Sequence, residues 1–179
     1  MCEGRLILGG VVELFQRPII CIIATDTGSQ PQRVLLQRRV KSRDDTPYSG
    51  YFELPQGKVN HNESLEGAAR RELSEETGLD LGPLLAGGES PYDAGSWKTS
   101  NLLTSHPLIC VADTIQNHLG IAVVAEVQGT PYATSEAAQH RWCTFTEVTN
   151  LVNRRAIFPL NIPMLQEFMR VALRAMEAK

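Results

Sequence analysis

Apolar positions along the chain come in short runs whose period changes near residue 64. Arg17–Thr25 (RPIICIIAT) is a β-branched run of strand length and reads as a buried strand. Asp26–Gln32 (DTGSQPQ) is turn chemistry, with Gly28 and Pro31. Arg33–Val40 (RVLLQRRV) follows as its partner, so the two are expected to form a hairpin. Lys41–Gly50 is polar, carries Pro47 and Gly50, and reads as a loop; Tyr51–Leu54 is a brief extended piece ending at Pro55. Leu65, Ala69 and Leu73 then recur at helical spacing, which predicts a helix over Ser64–Thr77. Asn62 or Ser64 can cap it, Glu63 and Glu66 sit at its positive end, and Gly78 stops it.

Leu81–Tyr92 is broken by Pro83, Gly87–Gly88 and Pro91, so mostly loop is expected there, with one edge strand at most. His106–Thr114 and Ile121–Val127 read as strands around a turn at Asn117–Gly120, and His140–Phe145 as another. Glu147–Asn153 suits a short helix. A final amphipathic helix runs from Pro163 to about Met176, within 163–177, with Leu165, Phe168, Met169, Ala172, Leu173 and Met176 on one broad face. At the other end, Leu6–Phe15, inside residues 1–16, suits an extra strand or a homodimer contact.

This order of elements predicts a single mixed α/β or α+β domain over residues 1–179, without a regular βαβ repeat. The glycines form neither GxGxxG nor a Walker loop, which removes dinucleotide folds and P-loop NTPases. With 17 basic against 20 acidic residues and a net charge of −3, a general nucleic-acid binder is disfavoured. An anionic substrate would need local arginines or a metal. Cys2, Cys21, Cys110 and Cys143 are scattered, form no zinc spacing, and are expected as free thiols. No run approaches the roughly 20 apolar residues that span a bilayer, so a soluble, cytoplasmic protein without membrane partners is expected.

Three carboxylates crowd the first helix. With about 100° per residue, Glu72, Glu75 and Glu76 fall within an arc of about 100°. The core stripe of Leu65, Ala69 and Leu73 lies on one side of this acidic ridge and the solvent face of Gly67, Arg70 and Ser74 on the other. Glu72 and Glu76, four apart, repel each other, and Arg71 can offset part of that strain through Glu75. A solvated acidic face would explain the carboxylates alone. The glycine loop at Gly57, Glu63 and Gly78 at fixed offsets point instead to a divalent cation, Mg²⁺ or Mn²⁺, which takes hard oxygen ligands and substrate phosphate. Gly57 could add a loop carbonyl. Such a site would act on a pyrophosphate by activating water for attack at phosphorus, with no nucleophilic triad.

Gly57–Leu79 (GKVNHNESLEGAARRELSEETGL) resembles the Nudix box, G-x5-E-x7-R-E-U-x-E-E-x-G-U with U bulky and apolar, at every specified position. Leu73 and Leu79 are the U residues; the box covers 23 of 179 residues. ELPQGKV before it and SEAAQHRWCTFTEV late in the chain look like the surroundings seen in that family. The resemblance implies an α/β/α sandwich around a mixed sheet, with the box as a loop–helix–loop. It also implies Mg²⁺- or Mn²⁺-dependent hydrolysis of a nucleoside diphosphate linked to another moiety. Carried over by position, Gly57, Glu72, Glu75 and Glu76 match metal ligands, Arg71 the residue that orients those carboxylates, and Glu63 the one that steadies the loop. The catalytic base varies in the family: Glu72 matches one assignment, Glu136 is the leading acid from a later loop, and Glu126 is its alternative.

Outside the box, one of Arg38 and Arg39 should face the site, where a guanidinium could clamp a phosphate. Phe52 or Tyr51 could stack a base, Lys58 could touch phosphate, and the four histidines lack ligand spacing. Substrate markers are weak. Where ADP-ribose-selective relatives carry proline this chain has Ala94, with Pro91 nearby, and where dinucleoside-polyphosphate relatives carry tyrosine it has Gly95-Ser96-Trp97. ELPQGK is similar to both nucleotide-sugar and RNA-end-processing members. The substrate is therefore left among nucleotide sugars or ADP-ribose, dinucleoside polyphosphates and nucleoside triphosphates, with an RNA 5′ end the one nucleic-acid partner kept open. The competing reading is a non-catalytic, nucleotide-sensing module of the same fold; an isoprenoid-diphosphate isomerase is disfavoured by the intact box.

Overall fold

The computed structural model describes residues 5–8, 11–14, 16–26, 32–39, 48–92, 103–135 and 137–177. Two short strands, β1 (Arg5–Leu8) and β2 (Val11–Leu14), pair antiparallel as a sheet of their own. The N-terminal segment, expected to add one strand, forms a hairpin separate from the main sheet; Phe15 lies outside the described residues.

Among the described residues the main sheet is mixed and eight-stranded. Its path runs β10 (Ile109–Asp113), β11 (His118–Gln128), β3 (Arg17–Thr25), β4 (Arg33–Arg39), β12 (Ala137–Thr144). The short β5 (Phe52–Glu53) pairs β4, β6 (Gln56–Lys58) pairs β3, and β7 (Asp80–Ala86) pairs β11. β8 (Glu89–Pro91) and β9 (Leu103–Ser105) make a small second ribbon. β3 and β11 run parallel in register from Arg17↔His118 to Thr25↔Glu126.

The unbroken apolar run of β3 is explained by cover on both faces. Ile20, Ile22 and Ala24 pack with Ala68, Ala69 and Leu73 of α1 (Leu65–Thr77). Ile19, Cys21 and Ile23 pack with Val148 of α2 (Phe145–Asn153) and with Met164, Leu165 and Phe168 of α3 (Asn161–Glu177). Each fully buried Ile or Leu contributes roughly 1.5–3 kcal/mol, so these two clusters hold the helices on the sheet. The result is the expected α/β/α sandwich, with α1 facing one way and α2 and α3 the other.

The hairpin expected of β3 and β4 is mostly absent. Among the described residues their ladder is the one antiparallel pair Thr25↔Val34, with Asp26 N–H donating to Arg33 O on the loop side, and from there they splay apart. The β5–β6 segment enters the gap: Gln56, Gly57 and Lys58 pair with Cys21, Ile20 and Ile19, while Glu53 and Phe52 pair with Gln37 and Arg38. Ile22 N–H donates to Pro55 O at 2.9 Å across the wedge. Two strands that looked contiguous in pattern are thus separated by the residues leading into the glycine loop.

Other expectations shift. Leu81–Tyr92 contains two strands rather than mostly loop. Among the described residues β7 pairs with β11 alone, with register shifts, and exposed Pro83 has no ladder partner there, so its missing N–H costs nothing. The turn before β11 is Thr114–Asn117, because Asn117 takes the left-handed conformation (φ 55°) and His118 already pairs Asp113. Thr144 caps α2 through a reciprocal capping box with Glu147, so Phe145 belongs to the helix. In α3 the buried face ends at Phe168, and Leu173 and Met176 are exposed. Gly28, Pro31, Pro47, Ala94 and Gly95-Ser96-Trp97 lie outside the described residues.

Candidate active site

Ser64 caps α1, its hydroxyl accepting from Gly67 N–H at 3.0 Å, and Glu89 of β8 takes the Leu65 and Glu66 amides. At the other end Gly78 is left-handed (φ 72°) and donates to Ser74 O. A side chain at Gly78 would also run into the Tyr132 ring, with a Cβ 1.9 Å from Cε1. Both ends of the helix are therefore fixed, and with them the direction of its carboxylates.

Those carboxylates do not form an exposed ridge. Glu72 and Glu76 are buried, at 7% and 2% exposure, while the Glu75 side chain is 55% exposed. Glu72 lies against the glycine loop: a Cβ at Gly57 would sit 1.9 Å from its Cδ. Only glycine permits that approach. Arg71 spans the group. It donates Nε and Nη2 to the two Glu63 oxygens at 2.8 Å each, Nη1 to Glu72 Oε1 at 2.6 Å and Glu75 Oε2 at 3.2 Å, and Nη2 to Lys58 O at 2.8 Å. Its hydrogen bonds to Glu63, then to Glu72, hold the guanidinium pKa well above its ordinary value, and Arg71 in turn draws Glu63 down.

Glu76 is shifted the other way. Burial pushes its pKa up to about 7, and the Glu53 and Glu72 charges add to the rise. Two hydrogen bonds oppose it, from Gln56 N–H at 2.9 Å and Gln37 Nε2 at 2.6 Å, both to Oε2.

A cleft of about 320 Å³ opens beside this group, lined by Gly57, Lys58, Glu72, Glu75 and Glu76 from the loop and helix, and by Arg39, Glu53 and Gln56 from the wedge. Ile19, Phe158 and Leu160 supply apolar wall; Asn60, Gln116 and His118 complete it. Arg39 donates Nη1 to Glu53 Oε2 at 2.6 Å and lies 5.1 Å from the Phe158 ring centre. Arg38, the preceding residue, points the opposite way: it is exposed and stacks 5.4 Å from the Phe52 ring. Strand alternation therefore puts Arg39 into the cleft, while neither Arg38 nor Phe52 lines it. Tyr51 packs edge-on with Tyr48 at 5.6 Å. Glu126 is half-buried in β11 and is also absent from the cleft wall, and Glu136 lies outside the described residues.

Several residues of the cleft were not singled out from the sequence: Glu53, Gln56, Gln116, His118 and Phe158 on its wall, with Gln37 and Asn161 buried behind it. Burial holds His118 below the usual histidine range. A signal did exist for two of them. Gln37 is a polar residue two before Arg39 in an apolar strand, hence on Arg39's face, and Glu53 is an acid inside a short extended piece abutting the loop.

A divalent cation fits the donor set in kind, since the carboxylates are hard oxygen ligands and Gln37 Oε1 is a buried oxygen with no partner among the described residues. As they stand, no three acid, histidine or cysteine side chains among the described residues converge closely enough to hold an ion. Arg71 already engages Glu72 and Glu75, and Glu75, the exposed member, is the one free to turn.

A NUDIX domain model matches residues 15–167, a span that includes the glycine loop, α1 and the whole cleft. The chain belongs to the NUDIX family. An RNA pyrophosphohydrolase from Saccharophagus degradans is 44% identical over 63 residues, which are 35% of this chain and 32% of that protein. The match thus spans about a third of that relative's length. Among solved structures, a NUDIX hydrolase from Nitrosomonas europaea superposes with a TM-score of 0.61 at 16% identity, covering 94% of this chain and 77% of its own. A NUDIX-family hydrolase from Clostridium perfringens gives 0.60 at 18%, covering 88% and 99%. A chain from a study of MutT in Aliivibrio salmonicida and Vibrio cholerae gives 0.54 at 20%, covering 84% and 94%. These likenesses establish the NUDIX fold. No helix among the described residues is long and apolar enough to cross a membrane.

Proposed function

We propose that this NUDIX protein is a pyrophosphohydrolase that cleaves the phosphoanhydride of a nucleoside diphosphate linked to another moiety, using Mg²⁺ or Mn²⁺. The observation that carries this reading is Glu76: a carboxyl buried against the like charge of Glu53 and Glu72, with a pKa raised to about 7, on the wall of a cleft. Such crowding is costly for folding and is accounted for by a cationic ligand and proton transfer.

Gly57 and the carboxylates of Glu72, Glu75 and Glu76 are the groups that would hold a divalent cation, which would supply charge neutralisation for the anhydride and activation of water. Arg71 orients Glu72 and Glu63 through its hydrogen bonds and keeps Glu63 ionised. Glu76 offers Oε1 as an oxygen that can take a proton near neutral pH, its Oε2 being fixed by Gln37 and Gln56. Arg39 and Lys58 supply positive charge to the phosphates, and the Ile19–Phe158–Leu160 wall gives a base or other flat group an apolar surface. Arg38 and Phe52 would contact only a substrate that extends beyond the cleft. Of the later acids, Glu136 is the proposed alternative base.

The S. degradans relative adds a substrate class, since its name is RNA pyrophosphohydrolase; a 5′-triphosphate RNA therefore joins the panel. The test is phosphate or nucleotide release by the pure protein, with Mg²⁺ and with Mn²⁺, from ADP-ribose, nucleotide sugars, dinucleoside polyphosphates, nucleoside triphosphates and 5′-triphosphate RNA. Turnover of at least one supports the reading. Binding without turnover across the panel would replace it with a nucleotide-sensing module.

A further inference from the structure

Behind the cleft wall lies a line of hydrogen bonds with a fixed polarity. Leu54 N–H, which can only donate, gives to Asn161 Oδ1 at 3.0 Å. The Asn161 carboxamide is thereby oriented, and its Nδ2 donates to Gln56 Oε1 at 2.7 Å. Gln56 is oriented in turn, and its Nε2 donates to Glu53 Oε2 at 3.1 Å, the same oxygen that accepts from Arg39 Nη1 at 2.6 Å. Asn161 is fully buried, and Glu53 and Gln56 are 3% and 8% exposed. Amide orientation is set by partners, and here a backbone N–H at one end and a guanidinium at the other agree on it.

We propose that Asn161, at the start of α3, is a positioning residue for Arg39, acting through Gln56 and Glu53 to hold the guanidinium in the cleft as an anion-binding group. The proposal rests on the reading of Arg39 as a phosphate contact. Arg39 lines the cleft, and its Nη1 is the guanidinium nitrogen that carries the Glu53 bond. The backbone N–H of Gln56 meanwhile serves Glu76, so one residue steadies the acid of the helix with its main chain and the arginine with its side chain.

Asn161→Asp keeps the shape and the acceptor for Leu54 but removes the donor. The Gln56 carboxamide must then turn its N–H to residue 161 and its oxygen to the Glu53 carboxylate, which loosens the anchor of Arg39. Gln56→Met is the second variant, retaining the backbone N–H on Glu76 and deleting only the carboxamide. The probe is inorganic pyrophosphate with Mg²⁺, followed by titration calorimetry, alongside Mg²⁺ titration alone. The bonds of Arg39 and Gln56 to Glu53 are charge-assisted, so each variant is expected to weaken pyrophosphate about tenfold or more (about 1.4 kcal/mol) while leaving Mg²⁺ affinity within about twofold. In an Arg39→Gln background, Asn161→Asp should cause no further loss, because the effect passes through Arg39.

Additive losses in the double variant, or Mg²⁺ and pyrophosphate affinities falling together, would overturn the proposal in favour of a general structural role. A wild type that hydrolyses a panel substrate yet ignores pyrophosphate would overturn it too. A wild type that neither hydrolyses nor binds would instead remove the hydrolase reading, and this inference with it.

Discussion

Glu76→Gln removes one charge and leaves a side chain of nearly the same shape. Its carbonyl oxygen can accept from Gln37 Nε2 and Gln56 N–H as Glu76 Oε2 does, and its NH₂ then faces the neighbourhood of Glu53 and Glu72, where a donor is preferred to a third anion. The wild-type carboxyl holds its proton more tightly folded, at about 7, than unfolded, at the ordinary 4.5. Its burial therefore costs nothing well below 4.5, and the cost is complete above about 7. With about 1.36 kcal/mol for each tenfold, the full penalty is about 3 kcal/mol, of which roughly 2.5 kcal/mol develops between pH 5 and pH 8. For a chain of this size that corresponds to roughly 5–10 °C in melting temperature. In EDTA, thermal melts at pH 5 and pH 8 should show the variant gaining on the wild type by that amount as pH rises, although its turnover in Mg²⁺ is largely lost. A melting difference that does not change with pH, or a variant less stable than the wild type at pH 8, would refute the account of Glu76 as a charge buried at a cost.

Other perturbations have equally definite outcomes. Gly57→Ala drives a methyl into the Glu72 carboxylate, and should cut turnover at least a hundredfold (about 2.7 kcal/mol) while lowering stability by about 1–3 kcal/mol, read by kinetics and urea melts of one preparation. Arg71→Ala strips Glu63 and Glu72 of their charged donor and should destabilise the fold by roughly 2–3 kcal/mol, with turnover lost as well; an unchanged urea midpoint would contradict the bonding described. Gly78→Ala meets both a left-handed backbone and the Tyr132 ring, and a loss of about 1–2 kcal/mol with little change in KM is expected. Mg²⁺ should raise the melting temperature more at pH 8 than at pH 5, since the ionised form of Glu76 favours the cation.

What could be read from the sequence was whatever depends on spacing along one element. The helix, its Ser64 cap, its Gly78 stop and the shared side of Glu72 and Glu76 follow from a period of 3.6 residues and from local capping chemistry. A mixed α/β or α+β domain followed from the order of elements, and the α/β/α sandwich from the resemblance of Gly57–Leu79 to the Nudix box. Harder to read was anything set by long-range pairing. The β3–β4 pair carried every hairpin signal, yet Glu53, Gln56 and Gly57 occupy the gap between them, because strand pairing is decided by tertiary competition rather than by proximity in sequence. For the same reason the burial of Glu72 and Glu76, and the convergence of Asn161 and Phe158 from a hundred residues downstream, had no local signature. Arg39 was recoverable as one of a pair; which of the two enters the cleft depended on the register of β4 with β5.

The most direct test of the central claim is steady-state hydrolysis of the substrate panel by wild type and Glu76→Gln, side by side, in Mg²⁺ and in EDTA. Metal-dependent release of product from at least one phosphoanhydride by the wild type, abolished by EDTA and reduced by two orders of magnitude or more (about 2.7 kcal/mol) in the variant, is the predicted result. Equal rates for wild type and variant, or rates indifferent to EDTA, would contradict it.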